Sequence, residues 1–301
     1  MSALILPRNH NDLDAQVISN IIINEIPLSI LDPNHPSVGI ELKTQILKDR
    51  YEKQLIADAI DQRIIYFDQQ VNDYCFMNSL RLSSIIGFIF ESYIVSIMNN
   101  NLLTIGKTIF SWCSNREKCK DDYIQQYKVI ATGSVSTRNM HPQFYAPQSK
   151  HDIIFIRKNI QKNIYEPAIV NGTTIHAGIQ LKAITTNEKE EIILPLLRKE
   201  YSHVLTLLKD SRGVHTYNNC MDIIKQMYSR NEINCSEKKL LENRIAYPVQ
   251  FGIDQREIED YYQYITYWYN QRAKGDNIIK DGVTLALSGY CLQGGILIPV
   301  N

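Results

Sequence analysis

The chain lacks an excess of charge of either sign: 32 lysines and arginines stand against 32 aspartates and glutamates. That balance argues against a nucleic-acid binder working by uniform positive charge, though it leaves room for a local basic patch. A CxxC pair is also missing. The six cysteines fall at 75, 113, 119, 220, 235 and 291. The Cys113 to Cys119 step suits zinc poorly, so free thiols in a reducing compartment are expected. No run reaches the roughly 20 apolar residues that a bilayer demands. The most apolar stretch, Ile85 to Met98, is interrupted by Glu91, Ser92 and Ser96. The opening residues MSALILPRNH have no basic n-region and no long h-region, so no signal peptide is expected. Solenoid repeats and low-complexity tracts are absent. These absences together predict a cytoplasmic protein with no membrane partner.

What is present fits a globular chain of 301 residues, 44% hydrophobic and 21% charged, enough for one large or two modest domains. Residues 1–35 are mixed and broken by Pro7, Pro27 and Pro33. Apolar residues at a spacing of four predict a helix from Ser37, in cap position after Pro36, to about Ile65. A second helix is predicted from Ser79 to Asn99. Strands are predicted at Tyr127–Val135 and Asp152–Arg157, the latter within KHDIIFIRKN. A turn-rich insert follows at 159–172. Glu188 to about Asp210 reads as a helix bent at Pro195. Beyond it the pattern predicts helices at 216–229, 236–245 and 254–273, a short strand at Tyr247–Ile253, and a strand region at Val283–Val300.

The informative segment is HAGIQLKAI, His176 to Ile184. Ile175, Ala177, Ile179, Leu181 and Ala183 alternate with Thr174, His176, Gly178, Gln180 and Lys182. Period two predicts a strand, which puts Gln180 and Lys182 on one face. An acidic or amide residue two positions before a lysine is a cheap pattern. Glu41 and Lys43 in GIELK repeat it almost verbatim, but in a segment with helical periodicity that separates their side chains. Two adjacent strands would set Asp152 beside Gln180, with Lys182 one strand step further on. Such an oxygen pair suits a hard divalent cation. A neighbouring lysine could orient or deprotonate a metal-bound water, or neutralise charge in a phosphoryl transition state. Without such a cation, the same residues read as a polar strand face in solvent and a turn residue opening a strand.

The order helix with Glu91 in GFIFESYIV, strand with Asp152, then strand with Gln180-Leu181-Lys182 resembles the PD-(D/E)XK nuclease superfamily. The IQLK form is most similar to its Mrr-like variant. The resemblance covers about residues 80–210. It implies a restriction-endonuclease-like core of α/β (α+β) class, a mixed central sheet flanked by helices. Residues 79–212 would form that core, between a helical or mixed region at 1–78 and an α/β extension at 213–301. Asp152, Gln180 and Glu91 would then hold Mg²⁺ or Mn²⁺, with the Leu181 backbone carbonyl as a further ligand and Lys182 as the catalytic lysine. The implied activity is hydrolysis of DNA in bacterial antiviral defence or restriction, with RNA left open. Dimerisation, or a helicase or ATPase partner presenting DNA, would supply the affinity that a neutral chain lacks. Here the sequence departs from the family: His151 precedes Asp152 in place of proline, the Asp152-to-Gln180 gap is long, and glutamine is a neutral ligand. Those departures keep open a catalytically weak nuclease-fold subunit that binds DNA or a protein, and an unrelated α/β interaction protein. His151 is an auxiliary-base candidate, and His176 shares the parity of Gln180. The Tyr-rich run Asp260 to Arg272 suits helix packing better than base stacking. The charges in Arg198–Tyr201 and Lys209–Arg212 fit phosphate contacts and ordinary surface equally.

Overall fold

The computed structural model describes residues 40–281, 290–293 and 296–299, with 71, 78 and 79 excepted. The expectations for residues 1–39, Ser37 as a cap among them, lie outside the described residues. The elements run α1 (Ile40–Asp61), β1 (Ile65–Asp68), β2 (Asp73–Phe76), α2 (Leu82–Asn100), α3 (Lys107–Cys113), α4 (Asp121–Ile124), β3 (Tyr127–Ala131) and α5 (Val135–Met140). They continue with β4 (Ile153–Asn159), β5 (Ile164–Pro167), β6 (Gly178–Lys182), α6 (Leu194–Leu197), β7 (Val204–Thr206), α7 (Thr216–Ser229), α8 (Cys235–Arg244), β8 (Ile245–Ala246), α9 (Gln255–Asp281), β9 (Tyr290–Gln293) and β10 (Ile296–Pro299). This is an α/β protein with a mixed central sheet flanked by helices.

The chain divides into two units, where the sequence had suggested three consecutive regions. One unit takes residues up to 57, 67–75 and from 256 on; the other takes 58–66 and 76–255. Residues 213–255 therefore belong with the sheet. In the first unit, α9 buries Tyr261, Tyr264, Ile265 and Trp268, and Tyr261 meets Tyr51 of α1 at 5.3 Å between ring centroids. The tyrosine-rich run is thus a packing face. The β9–β10 pair is antiparallel.

The second unit is built on the strand order β3-β4-β6-β7-β8, with β5 alongside the far half of β4. β3, β4 and β6 form an antiparallel run; β6, β7 and β8 are parallel. Ile153 through Ile156 are all buried, because both faces of the sheet are covered. On one face Phe110 of α3 packs edge-on against Phe155 at 5.0 Å. On the other, Ile154 and Ile156 join Ile130, with Phe144 and Tyr165 against them. Around β7, Val204 packs with Ile192, Ile193 and Leu196 before it and with Ile224, Met227 and Leu241 of α7 and α8. β3 ends the sheet on one side. Asn99 at the end of α2 satisfies it, donating to the Val129 carbonyl at 2.9 Å and accepting from the Val129 N–H at 3.0 Å.

Three expectations change. Glu188–Asp210 is not one helix: a π-helical turn at Lys189–Ile193 and the short α6 give way to strand β7. Tyr247–Ile253 is not a strand: β8 ends at Ala246 and Pro248–Phe251 is 3-10 helix, as a proline with no N–H favours. The 159–172 insert holds β5. α2 is 19 residues and apolar enough by composition to cross a membrane, yet half of its most apolar stretch is buried inside the protein, Ile85, Ile89, Phe90 and Ile94 completely so.

Gly178 shows why the sequence needs a glycine in HAGIQLK. A Cβ there would lie 2.7 Å from the Ile153 carbonyl oxygen and 2.9 Å from the His151 ring. Backbone cannot yield as a flexible side chain can. Gly178→Ala should therefore destabilise the protein by about 1–3 kcal/mol, checked as a fall in the denaturant midpoint. An unchanged midpoint would mean that β4 and β6 are not held this closely.

Candidate metal and phosphodiester site

The site starts where β4 begins. The β4–β6 register pairs Ile153 with Ile179 and Ile154 with Gly178. Continued by one residue, it sets Asp152 opposite Gln180. The Asp152 N–H donates to the Ile179 carbonyl at 3.0 Å. Its carboxylate then takes over from the backbone: Oδ2 accepts the Leu181 N–H at 2.7 Å. Gln180 and Lys182 turn their backbone groups the other way, toward β7, as the bonds Gln180 N–H to His203 and Leu207 N–H to Lys182 show. Alternation therefore leaves the Leu181 carbonyl on the Asp152 edge.

Glu91 comes from α2, and neighbouring residues fix the rotation of that helix. Ser92 accepts from Gln62 at 2.9 Å and donates to Asp61 at 3.0 Å, while Asp61 also accepts the Ser136 N–H at 2.8 Å. With Ser92 held on that side, Glu91 reaches toward Gly133, where an added Cβ would sit 3.7 Å from its Oε2.

The electrostatics are those of two carboxylates with too little opposing charge. Burial, then the Asp152 charge, pushes Glu91 well above the usual carboxylate range. Burial pushes Asp152 up to about 6, although the Leu181 N–H, the Gln180 amide and the Lys182 ammonium oppose the rise. Gln180 Oε1 is buried with no hydrogen-bond partner. A buried amide oxygen without a donor is costly, and such a cost is met where a cation or a water completes it. Two carboxylates, an orphaned amide oxygen and a free-edge carbonyl are all hard oxygen donors, the set that suits Mg²⁺ or Mn²⁺. Among the described residues no group of three or more His, Cys, Asp or Glu side chains gathers for a metal, so the glutamine and the carbonyl are needed to complete this one.

No family model, no curated protein and no solved structure matches this chain.

Lys182 lies at the end of β6, its side chain only 13% exposed, with Nζ 3.0 Å from Glu191 Oε2 and 5.1 Å from the centre of the Tyr201 ring. Its charge also reaches Asp152. Sequence reasoning missed Glu191 and Tyr201, because residues 188–210 read as one helix and nothing placed them over β6. It also missed Gly133 and the Asp61–Ser92 clamp, which join segments some thirty to seventy-five residues apart. His151 is close by but serves the scaffold: its Nε2 pairs with Ser202 Oγ at 2.9 Å, and burial lowers its pKa to about 4. That leaves a weak base at neutral pH. His203 is lowered to about 3 by burial and then by Arg244. Arg198 and Arg212 pair with Glu200 and Asp210 of their own loops.

The carboxylate pair dictates a pH response. Asp152 and Glu91 hold protons more tightly in the folded chain than in the unfolded one. The contribution of Asp152 to stability is therefore complete below about pH 4 and is lost as pH rises through about 6, and that of Glu91 is lost at a higher pH than an ordinary carboxylate's would be. Without divalent cations the melting temperature should fall across that window, and millimolar Mn²⁺ or Mg²⁺ should flatten the fall, since a bound cation favours the ionised pair. Glu91→Gln, which removes one of the two like charges, should raise the metal-free melting temperature near pH 7 and abolish the stabilisation by cation. Melting curves recorded with EDTA and with Mn²⁺ check both.

Proposed function

We propose that this chain is a Mg²⁺-dependent nuclease that hydrolyses phosphodiester bonds in DNA. The observation that carries the reading is the partly buried pair Glu91 and Asp152 beside the unpartnered Gln180 Oε1, with Lys182 on the same strand face. The order of elements supports it: helix α2, antiparallel strands β3, β4 and β6, a helical crossover, then β7 parallel to β6, is the arrangement that a restriction-endonuclease-like core calls for. Membership of the PD-(D/E)XK superfamily, in its Mrr-like form, is the corresponding family proposal. A defence role, a helicase or ATPase partner and a homodimer rest on that family proposal alone.

Asp152, Glu91, Gln180 Oε1 and the Leu181 carbonyl would hold the cation. A bound Mg²⁺ supplies Lewis acidity to the phosphoryl oxygens and a water of lowered pKa. The residues do the positioning. The Leu181 N–H fixes the orientation of the Asp152 carboxylate. Lys182, shielded from solvent and held by Glu191 and Tyr201, offers a fixed positive charge where a phosphorane-like transition state gathers negative charge.

One observation favours the second reading, a catalytically weak nuclease-fold subunit that binds DNA or a protein. The Lys182 ammonium already has a carboxylate partner at 3.0 Å, and glutamine contributes no charge to the cation. Cation binding without cleavage would select it.

Incubation of plasmid and linear DNA with Mg²⁺ or Mn²⁺ tests the main reading. Wild-type protein should cut, and Lys182→Ala should reduce cutting by about 10²-fold or more. The fold should survive, because the Glu191 left behind is half exposed and can be hydrated. Undiminished cleavage by Lys182→Ala would remove the lysine from the mechanism.

A further inference from the structure

Two adjoining cavities of about 670 and 600 Å³ share the residues Asn115 to Glu117; the larger lies between the segment following α3 and helix α8, and the smaller continues along that segment to Lys120 and Tyr123. Arg116, Lys118 and Lys120 come from the first segment; Lys239 and Arg244 come from α8. Against these five cations the lining holds a single carboxylate, Glu117. Nearby Asp121 is already engaged by Lys107 at 2.6 Å. Among the described residues none of the five is paired with an acid. In a chain whose charges balance, a strip of this kind is a local concentration of positive potential.

The strip is also preorganised. The Arg116 guanidinium lies 5.7 Å from the centre of the Tyr123 ring and donates to the Ile169 carbonyl at 3.5 Å, while its Nε is buried without a partner. The Trp112 indole N–H donates to the Asn243 carbonyl at 2.8 Å, which ties the α3 side to the α8 side. Arg244 is half-buried, and desolvation makes its charge costly to carry there. Arg116, held in place, and Arg244, partly desolvated, stand with three exposed lysines in an arrangement suited to an anion that brings several charges in a row.

We infer that this groove binds the phosphodiester backbone of a nucleic acid, with successive phosphates meeting Lys118 and Lys120 in the smaller cavity, Arg116 where the two cavities join, and Lys239 and Arg244 in the larger. A lone inorganic phosphate needs one or two of these cations; a strip spanning two cavities suits a repeating anion. The groove shares with the proposed function only the choice of nucleic acid as ligand, and its residues are remote in sequence from Asp152, Gln180 and Lys182.

The test is anisotropy of a labelled DNA oligonucleotide, with EDTA present and a series of salt concentrations. The Lys120→Ala/Lys239→Ala double variant removes two exposed side chains with no packing role. It should bind about tenfold more weakly than wild type, and its log–log salt slope should be shallower by about 2. Arg116→Lys/Arg244→Lys keeps the charge and should retain most of the affinity. Unchanged affinity in the Lys120/Lys239 variant overturns the groove, as does displacement of the oligonucleotide by inorganic phosphate or ATP at equal phosphate concentration. If the groove variants lose binding while wild type cleaves nothing with Mn²⁺, the groove stands and the nuclease reading falls. If wild type cleaves while groove variants bind unchanged, the reverse holds.

Discussion

The bond from the Leu181 N–H to the Asp152 carboxylate joins the two halves of the central sheet. β3, β4 and β5 are antiparallel; β6, β7 and β8 are parallel; the seam between them has only two register pairs. Asp152 lengthens that seam with its side chain, one bond beyond the one its own N–H makes to the Ile179 carbonyl. The same carboxylate thus completes a sheet and faces a second carboxylate. Structure and chemistry compete for one group. A residue that only closed the ladder could be asparagine with little electrostatic cost. The ionisable group is costly where it sits, and a cost of that kind is where function is sought.

The surroundings give that competition a direction. Three and four residues to either side of Glu91 along α2 stand Gly87, Phe88, Ile94 and Val95, so no polar side chain on its face of the helix shares its charge. The Ser92–Asp61 clamp on the adjacent face prevents the helix from turning to release it. Lys182 moderates Asp152 but is shared with Glu191. The residual deficit is one of positive charge, localised beside an unpartnered amide oxygen.

Much of this was legible in the residues. Period two in HAGIQLKAI marked β6 and set Gln180 and Lys182 on one face, and the β-branched run after Asp152 marked β4. α1, α2, α7 and α8 fell within a few residues of their expected places. What could not be read was short or distant. β7 is three residues, buried on both faces, so it has no alternation and blends with the apolar residues of the helix before it. β8 is two residues. β5 lies in polar, turn-rich sequence because it pairs only at the sheet's far corner. Glu191, Gly133 and Asp61 reach the site through tertiary contacts that no local pattern encodes. The joining of residues 213–255 to the sheet is likewise a fact of packing around β7.

His151 and His203 flank this region, one against Ser202 and the other against the Trp112 ring. Burial keeps both uncharged until far below neutrality. These two imidazoles are therefore electrically silent between about pH 5 and 8, the range in which histidine ordinarily signals. Whatever senses protons here does so through oxygen, and the imidazoles act as fixed dipoles that hold the end of one strand against the next.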